Sequence, residues 1–160
     1  MQRRTLLSLA LAGTAGLALT GCGFRLRGLD APSLSLDELA VAGGDDALSG
    51  RVADRLEAAG TRVHDAAPLV LNLGPEAVDR RRLGVLDAGP RDEELTLSAP
   101  FSVQRREDGA YLLDQQRLKV ATHYTVSDDD LLNRETLRDE ALDELREAAA
   151  RQLLDRLRGL

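Results

Sequence analysis

Two long segments of the chain alternate apolar and polar residues, and this alternation restricts the possible folds more than any other feature. The positions of this pattern are Leu95, Leu97, Ala99, Phe101 and Val103 in the first segment and Leu118, Val120, Thr122, Tyr124 and Val126 in the second, with Thr122 as the one aliphatic hydroxyl among them. A period of two residues predicts β-strands with one buried face and one face in water. The residues Glu107-Asp108-Gly109 lie between the segments and are typical of a hairpin turn, so the two strands should pair antiparallel.

The preceding part of the chain carries further strand signals. Residues 69–73 form a short apolar run bounded by a proline and a glycine, which is typical of a strand. The residues Asp87-Ala88-Gly89-Pro90 indicate a turn. Pro100 has no N–H to donate to a ladder, and it therefore predicts a bulge or a sheet edge. The expected pairing is residues 69–86 onto 93–105, and 93–105 onto 111–126.

Two other segments have the period of amphipathic helices. The first covers residues 46–59, and Gly60 closes it as a C-cap glycine would. The second covers residues 131–158, and the aspartates at 128–130 solvate the turn before it and favour its N-terminus. The apolar stripe of this second helix consists of Leu137, Ala141, Leu142, Leu145, Ala148, Ala149, Gln152, Leu153 and Leu157. Acidic residues fill its first half and arginines its second, which complements the helix dipole.

These elements predict an α/β fold. We expect a two-layer sandwich in which two helices cover one face of a four-stranded mixed sheet, with the order β-α-β-β-β-α and residues 36–160 as the domain. A first strand near residues 37–41 and the strand at 69–73 enclose the first helix. Such a unit joins parallel strands, and its crossover should be right-handed.

The N-terminus has the layout of an export signal. Arg3 and Arg4 precede an apolar stretch at residues 6–19, which is too short to span roughly 30 Å of hydrocarbon as a helix. The stretch ends in Leu19-Thr20-Gly21-Cys22, which looks like the lipobox of bacterial lipoproteins, so Cys22 is the expected lipidation site. The arginine pair also fits a twin-arginine signal, which leaves the export route open.

Lipidation at Cys22 divides the chain into three parts: a signal peptide at 1–21, a lipidated tether at 22–35 and the domain at 36–160. A lipoprotein cysteine carries two or three acyl chains, such as palmitate, and two chains suffice for stable anchoring. The residue after the cysteine is Gly23, whereas an aspartate there retains lipoproteins in the inner membrane. Export to the outer membrane is therefore compatible with the sequence.

Composition narrows the possible partners. Cleavage after residue 21 removes Arg3 and Arg4 and leaves 19 basic against 27 acidic residues, a net charge of −8. Such a domain is a poor general binder of nucleic acid. The chain has one cysteine, so once that residue is lipidated the exported domain has no disulfide and its stability comes from packing.

Three stretches resemble the lipopolysaccharide-assembly lipoprotein LptE family: "GCGFRLRG" at 21–28, "LSGRVADRLEAAGTRV" at 48–63 and "LRDEALDELREAAARQLLDRL" at 137–157. The resemblance extends over the mature chain in element order. It implies an outer-membrane lipoprotein, facing the periplasm, that plugs the LptD β-barrel, assists its assembly and contacts lipopolysaccharide.

Basic residues on the expected strand edges are candidates for that contact. The set consists of Arg80, Arg81, Arg82, Arg105, Arg106, Arg117 and Lys119. Guanidinium groups suit the phosphates of lipid A, so these residues could form one basic edge that binds lipopolysaccharide. The alternatives are a solvated hairpin balanced by nearby acids, or a rim that meets acidic groups inside the barrel.

Catalytic and metal-binding patterns are missing from the sequence. His64 and His123 have no cysteine or second histidine at metal-ligand spacing, and we expect both on the surface. The aspartates at 128–130 lack the other ligands of a calcium loop, and the chain has no glycine-rich phosphate loop. We therefore expect no enzyme, no metal and no cofactor.

A second function of another class remains: a stand-alone periplasmic lipoprotein that binds a small ligand or peptidoglycan. The chain has two phenylalanines and two tyrosines, which offer little surface for stacking a ligand or sugar. This scarcity favours the plug.

Overall fold

The structure is a computed structural model that describes residues 36–44, 46–84, 91–127 and 131–160. Its elements are β1 (Glu38–Gly43), α1 (Ala47–Ala58), β2 (Arg62–Val63), β3 (Leu69–Leu73), β4 (Ala77–Leu83), β5 (Arg91–Arg105), β6 (Tyr111–Val126) and α2 (Leu131–Leu157). The predicted signal peptide at 1–21, Cys22 in the tether at 22–35, the turn at 87–90 and the aspartates at 128–130 lie outside the described residues.

The sheet is mixed, as predicted, but it has six strands and not four. β1 runs parallel to both β2 and β3, while β3 and β4 pair antiparallel with β5, and β5 pairs antiparallel with β6. The first additional strand, β2, is two residues long, which is too short to show a period in the sequence. The second arises because the expected strand at 69–86 is interrupted.

The interruption lies between β3 and β4. β6 pairs with β5 from Arg91 to Gln104 and so takes one edge of that strand. β3 pairs with the end of β5 and β4 with its beginning, so both lie in tandem on the other edge. The predicted partner of residues 69–83 is therefore correct, although residues 74–76 separate two strands.

Pro100 faces this interruption. Its carbonyl accepts a hydrogen bond from the Gly74 N–H at 2.8 Å. In an antiparallel ladder the N–H and C=O of one residue point to the same edge of the strand. The Pro100 nitrogen, which has no hydrogen to donate, therefore points to the break between β3 and β4, where no strand needs its hydrogen bond. The β5–β6 ladder also shifts register between Phe101 and Val103 and between Val103 and Gln104. Pro100 predicted a bulge or a sheet edge, and the structure has the break in the pairing at Pro100 and an irregular ladder directly after it.

α1 begins and ends at well-formed caps. The Asp46 carboxylate accepts from the Ser49 N–H at 2.8 Å, and the Ser49 hydroxyl accepts from the Asp46 N–H at 3.1 Å, which is a capping box. At the other end Gly60 has a φ of 92°, and the Thr61 N–H reaches back to the Leu56 carbonyl. This is the Schellman ending that Gly60 predicted.

Both helices contribute to one core on one face of the sheet, as predicted. α1 buries Leu48, Val52 and Leu56. α2 buries Ala141, Leu145, Ala149, Ala150, Leu153, Leu154 and Leu157. These side chains pack with the apolar phase of β5, from Leu95 to Val103, in a single cluster. Arg51 and Arg55 of α1 form ion pairs with Glu147 of α2, so the two helices also contact each other.

The opposite side of the sheet is largely uncovered. A small cluster of Ala40, Ala67 and Val70 lies there at β1 and β3. Over β4, β5 and β6 the side chains on this side are polar, and we call this surface the open face. It carries Asp79, Arg81, Glu94, Thr96, Ser98, Arg117, Lys119 and His123. Among the described residues, no helix combines the length and apolar character needed to cross a membrane.

Candidate functional site

The seven basic residues predicted to form one edge lie in three separate places. Arg81, Arg117 and Lys119 meet on the open face. Arg80 and Arg82 point to the helix side of β4, because neighbouring side chains of a strand alternate. Arg105 and Arg106 lie at the hairpin turn. Arg81 pairs with Glu94 of β5, and Arg105 follows eleven residues further along that strand, which is a distance of about 36 Å. The structure therefore brings three of the seven together.

The open-face cluster lines a shallow depression of about 410 Å³. Lys119 lies opposite Ser98 and Arg117 lies opposite Pro100 in the β5–β6 register. Both cations are exposed, and neither makes an ion pair with any residue in the described ranges. With Arg81 they bring three cations together, beside the carboxylates of Asp79 and Glu94, on a domain that is acidic overall. We call this the basic depression; it is lined by Asp79, Arg81, Glu94, Thr96, Ser98, Arg117 and Lys119.

Glu94 fixes the position of Arg81. The Arg81 Nη2 atom lies 2.9 Å from Glu94 Oε1, and His123 Nε2 lies 3.1 Å from Glu94 Oε2. The three residues are direct cross-strand neighbours on β4, β5 and β6. Glu94 therefore orients one guanidinium and forms an ion pair with it, whereas Arg117 and Lys119 make no ion pair with a described residue.

On the helix side, Arg80 has a structural role. The Glu93 side chain is 2% exposed, and its Oε2 atom accepts a hydrogen bond from the Tyr124 hydroxyl at 2.7 Å. Arg80 Nη1 lies 3.7 Å from the same oxygen and supplies the opposite charge that a buried carboxylate needs. Burial raises the pKa of Tyr124 above its ordinary value, and the hydrogen bond to Glu93 raises it further. Arg80 is therefore engaged within the fold.

Arg105 and Arg106 fasten the hairpin turn. Arg105 Nη1 lies 2.9 Å from Asp108 Oδ2, and the hydrogen bond from the Ala110 N–H lowers the pKa of Asp108. Arg106 donates through Nε to the Ala67 carbonyl and through its backbone N–H to the Pro68 carbonyl, each at 2.8 Å. These bonds tie the turn to the segment before β3.

The two histidines are exposed, as predicted. The side chain of His64 is 43% exposed and lies 3.5 Å from Glu38, and that of His123 is 59% exposed beside Glu94. The hydrogen bond from Arg62 lowers the pKa of Glu38. In the described ranges, no three His, Cys, Asp or Glu side chains come close enough to hold a metal ion.

Sequence reasoning missed the row of Arg81, Glu94 and His123. Counting outward from the Gln104–Tyr111 pair would place Ala121 opposite Glu94. The two register shifts move β6 by two residues and place His123 there instead. Pro100 predicted an irregularity, but its direction and size could not be obtained from the alternation alone.

Comparisons with known proteins give the family from a family model and the fold from solved structures. The model of the LptE family, described as lipopolysaccharide-assembly, matches residues 33–157. One similar solved structure is a minor lipoprotein from Acinetobacter baumannii, with a TM-score of 0.64 and 18% identity over 79% of this chain and 93% of that one. Another is rare lipoprotein B from Shewanella oneidensis, with a TM-score of 0.61 and 19% identity over 75% of this chain and 92% of that one. A third, from Nitrosomonas europaea, is described as an uncharacterized lipoprotein B; its TM-score is 0.66 and its identity 14%, over 82% of this chain and 88% of that one. At these identities the likeness establishes the fold. No curated protein sequence gives a significant match.

Proposed function

The chain belongs to the lipopolysaccharide-assembly LptE family, and from this premise we propose that it is an outer-membrane lipoprotein that plugs the LptD β-barrel and assists its assembly. In this role it takes part in the transport of lipopolysaccharide and its insertion at the cell surface. The observation that carries the proposal is the family match over residues 33–157, which includes every helix and strand described above. The proposal assigns no catalytic step and no cofactor to the chain.

Anchoring through Cys22 is part of the proposal. The sequence Leu19-Thr20-Gly21-Cys22 supports cleavage before the cysteine, with residues 1–21 as the signal and 22–35 as the tether. The three structural relatives named above are all described as lipoproteins. At roughly 3.4 Å per residue, a tether of this length reaches at most about 48 Å, so a domain inside a barrel can stay attached to the periplasmic leaflet.

Lipopolysaccharide contact is assigned to the basic depression. Arg81, Arg117 and Lys119 present two guanidinium groups and one ammonium group on one surface, and phosphate is the anion that such forks bind well. Glu94 keeps Arg81 in position for this contact. Arg80 and Arg82 receive no part in it, because they lie on the helix side of β4. Arg105 and Arg106 receive none either, because they lie at the hairpin turn, away from the depression.

Binding of lipopolysaccharide tests this assignment. The double variant Arg117→Ser/Lys119→Ser should bind lipopolysaccharide more weakly than wild type, and its remaining affinity should depend less on salt. The control is Arg138→Ser/Arg151→Ser, which removes the same charge from exposed positions of α2. If both double variants weaken binding equally, net charge and not the basic depression governs binding. If neither weakens it, the assignment to the basic depression is wrong.

Limited proteolysis tests the barrel partnership separately. Arg105 and Arg106 are exposed beside the turn at Glu107, so trypsin should cut there in the isolated chain. In a complex with the barrel this turn should be protected, because a plug buries well over 800 Å² of its surface. A monodisperse, barrel-free lipoprotein from native outer membranes, with normal lipopolysaccharide export in cells that lack it, would overturn the plug. That result would favour a stand-alone lipoprotein that binds a small ligand or peptidoglycan.

A further inference from the structure

A second depression lies beside the basic one and has a different chemistry. It is an open hollow of about 500 Å³ at the hairpin end of the sheet, and this volume is within the range of small-ligand sites. In a chain of which 30% of the residues are charged, none of its eleven lining residues carries a charge. Its polar and aromatic groups are Asn72, Ser102, Gln104, Tyr111 and Gln115, and we call it the neutral depression.

Strand register assembles this set. Asn72 of β3 lies opposite Ser102 of β5, and the Asn72 amide donates to the Ser102 hydroxyl at 3.4 Å. The two register shifts in the β5–β6 ladder fall at this place, and they bring Tyr111 opposite Gln104. A bulge re-aims the side chains that follow it, and such irregularities concentrate at binding sites. Both shifts fall within the part of β5 that lines the depression.

The side chains in the neutral depression have the hydrogen-bonding groups and the aromatic ring that binding of an uncharged sugar requires. Side-chain amides both donate and accept hydrogen bonds, as sugar hydroxyls do, and a serine hydroxyl can do either. Tyr111 is 58% exposed, and its ring offers a flat apolar surface to the C–H face of a pyranose. Neither Gln104, Gln115 nor Tyr111 makes a side-chain hydrogen bond with another described residue. Their polar groups are free to bind a ligand.

The neutral and basic depressions are adjacent on the open face. Pro100 lines the neutral depression and Arg117 lines the basic one, and these two residues are direct cross-strand partners. Their Cα atoms are therefore about 5 Å apart. A ligand that carries phosphate next to sugar would reach both depressions at once.

We propose that the neutral depression is a saccharide subsite, which binds sugar rings of lipopolysaccharide while the basic depression holds an adjoining phosphate. This inference rests on the proposed function, because the contact with lipopolysaccharide comes from there. The Tyr111 ring stacks on one pyranose, and the amides of Asn72, Gln104 and Gln115 bond its hydroxyls. The scarcity of aromatic residues does not prevent sugar binding, because one ring in the right place is sufficient.

The test uses the full chain, produced in a Gram-negative host and purified in phospholipid nanodiscs, with empty nanodiscs as the blank. The probes are intact lipopolysaccharide, its delipidated and dephosphorylated core oligosaccharide, and muramidase-released disaccharide peptides of peptidoglycan. The variants are Tyr111→Ala and Gln115→Ala in the subsite, and Arg117→Ser/Lys119→Ser in the basic depression. Leu112→Ala is the matched control, because Leu112 is 41% exposed beside Tyr111 but does not line the depression.

Wild type should bind the oligosaccharide, and Tyr111→Ala should weaken this binding by about tenfold, as the loss of one stacked ring does. Leu112→Ala and the basic double variant should leave it unchanged. Binding that survives Tyr111→Ala and Gln115→Ala overturns the subsite. If intact lipopolysaccharide binds but the oligosaccharide does not, the subsite fails and the proposed function stands. If the oligosaccharide binds but lipopolysaccharide does not, the proposed function fails instead. Preference for the peptidoglycan fragments overturns the assignment of the sugar.

Discussion

The Arg146 guanidinium on α2 holds the Glu76 carboxylate, in the connection between β3 and β4, through two hydrogen bonds. Nε donates to Oε2 at 3.1 Å and Nη2 donates to Oε1 at 2.7 Å. The side chains are 20% and 16% exposed, so the pair is largely removed from water. The Glu76 N–H also donates to the Asp46 carboxylate at 3.2 Å. The break in the sheet is therefore fastened to both helices.

Loss of this pair should destabilise the fold. Arg146→Met leaves Glu76 without its partner, and we expect the free energy of unfolding to fall by about 1.5–3 kcal/mol in urea titrations. Arg146→Lys should restore part of this loss, because an ammonium keeps the charge but cannot form two parallel bonds. Arg158→Met is the control, since its pair with Asp155 is exposed and should contribute little. Equal stabilities for the two methionine variants would contradict the prediction.

The Asp46 N-cap of α1 should make the free energy of unfolding depend on pH in the acidic range. Burial acts to raise the pKa of Asp46, but the hydrogen bonds that it accepts, from Ser49 first, outweigh burial and lower the pKa. Because the pKa of Asp46 is lower in the folded state, its ionised carboxylate stabilises the fold. This stabilisation is complete above the pKa of the unfolded chain, about 3.9, and is lost as pH falls through the lower pKa of the folded chain. Asp46→Ala should cost about 1–2 kcal/mol at pH 7.

Unfolding of Asp46→Ala and wild type at several pH values checks this sign. The difference between the two free energies of unfolding should shrink below about pH 4, where the Asp46 carboxylate becomes protonated in the unfolded chain before it does in the folded one. Asp54→Ala removes an exposed carboxylate from the middle of the same helix and is the matched control. A difference that stays constant from pH 7 to pH 3 would show that the Asp46 charge does not contribute.

The Tyr124 phenol should make the free energy of unfolding fall as pH rises in the alkaline range. Its pKa is raised by burial and by its bond to Glu93, so its stabilisation is complete below pH 10 and is lost as pH rises through the higher folded value. Tyr124→Phe should cost about 2 kcal/mol at pH 8, because a hydrogen bond to a charged group is lost.

Spectroscopic titration separates the two tyrosines of the chain. Subtracting the absorbance titration of Tyr124→Phe from that of wild type isolates the Tyr124 phenol, and its midpoint should lie above pH 10. Tyr111→Phe serves as the stability control, because its hydroxyl makes no bond with another described residue. A midpoint at or below pH 10 would contradict the raised pKa.

Cys22→Ala should block lipidation and release the domain from membranes. We expect the variant to remain uncleaved or to appear in the soluble periplasmic fraction, without incorporation of a labelled fatty acid. The unfolding curve of its domain should match wild type, because the chain has no second cysteine for a disulfide. Retained acyl label in the variant would show that the lipobox is misassigned.

The sequence predicted those elements whose pattern repeats several times within one segment. β5, β6, α1 and α2 each bury one face over many residues, so a period of 2 or 3.6 is visible in the sequence alone. β4 has no such pattern, and six of its seven residues are exposed. It is a strand because β5 offers a partner along that edge, which is a tertiary effect that local preference does not contain.

The candidate site was predictable by residue type but not by position. Arg81, Arg117 and Lys119 were singled out by charge, together with four other basic residues that the structure places elsewhere. Which cations meet depends on the register of two long strands, and the shifts between Phe101 and Gln104 set that register. The neutral depression gave no signal, because single polar residues on three strands become a set only after the strands pair.

The unequal lengths of the connections in this sheet have a consequence for the order of folding. Five residues join β5 to β6, whereas 25 residues separate β1 from β3. Closing the shorter loop costs less entropy, so we expect the C-terminal hairpin to form early and the parallel pairing of β1 with β3 to come last. Until β1 arrives, β3 presents a bare apolar edge, which is the kind of surface on which chains aggregate. A newly exported copy is therefore most vulnerable at its N-terminal half.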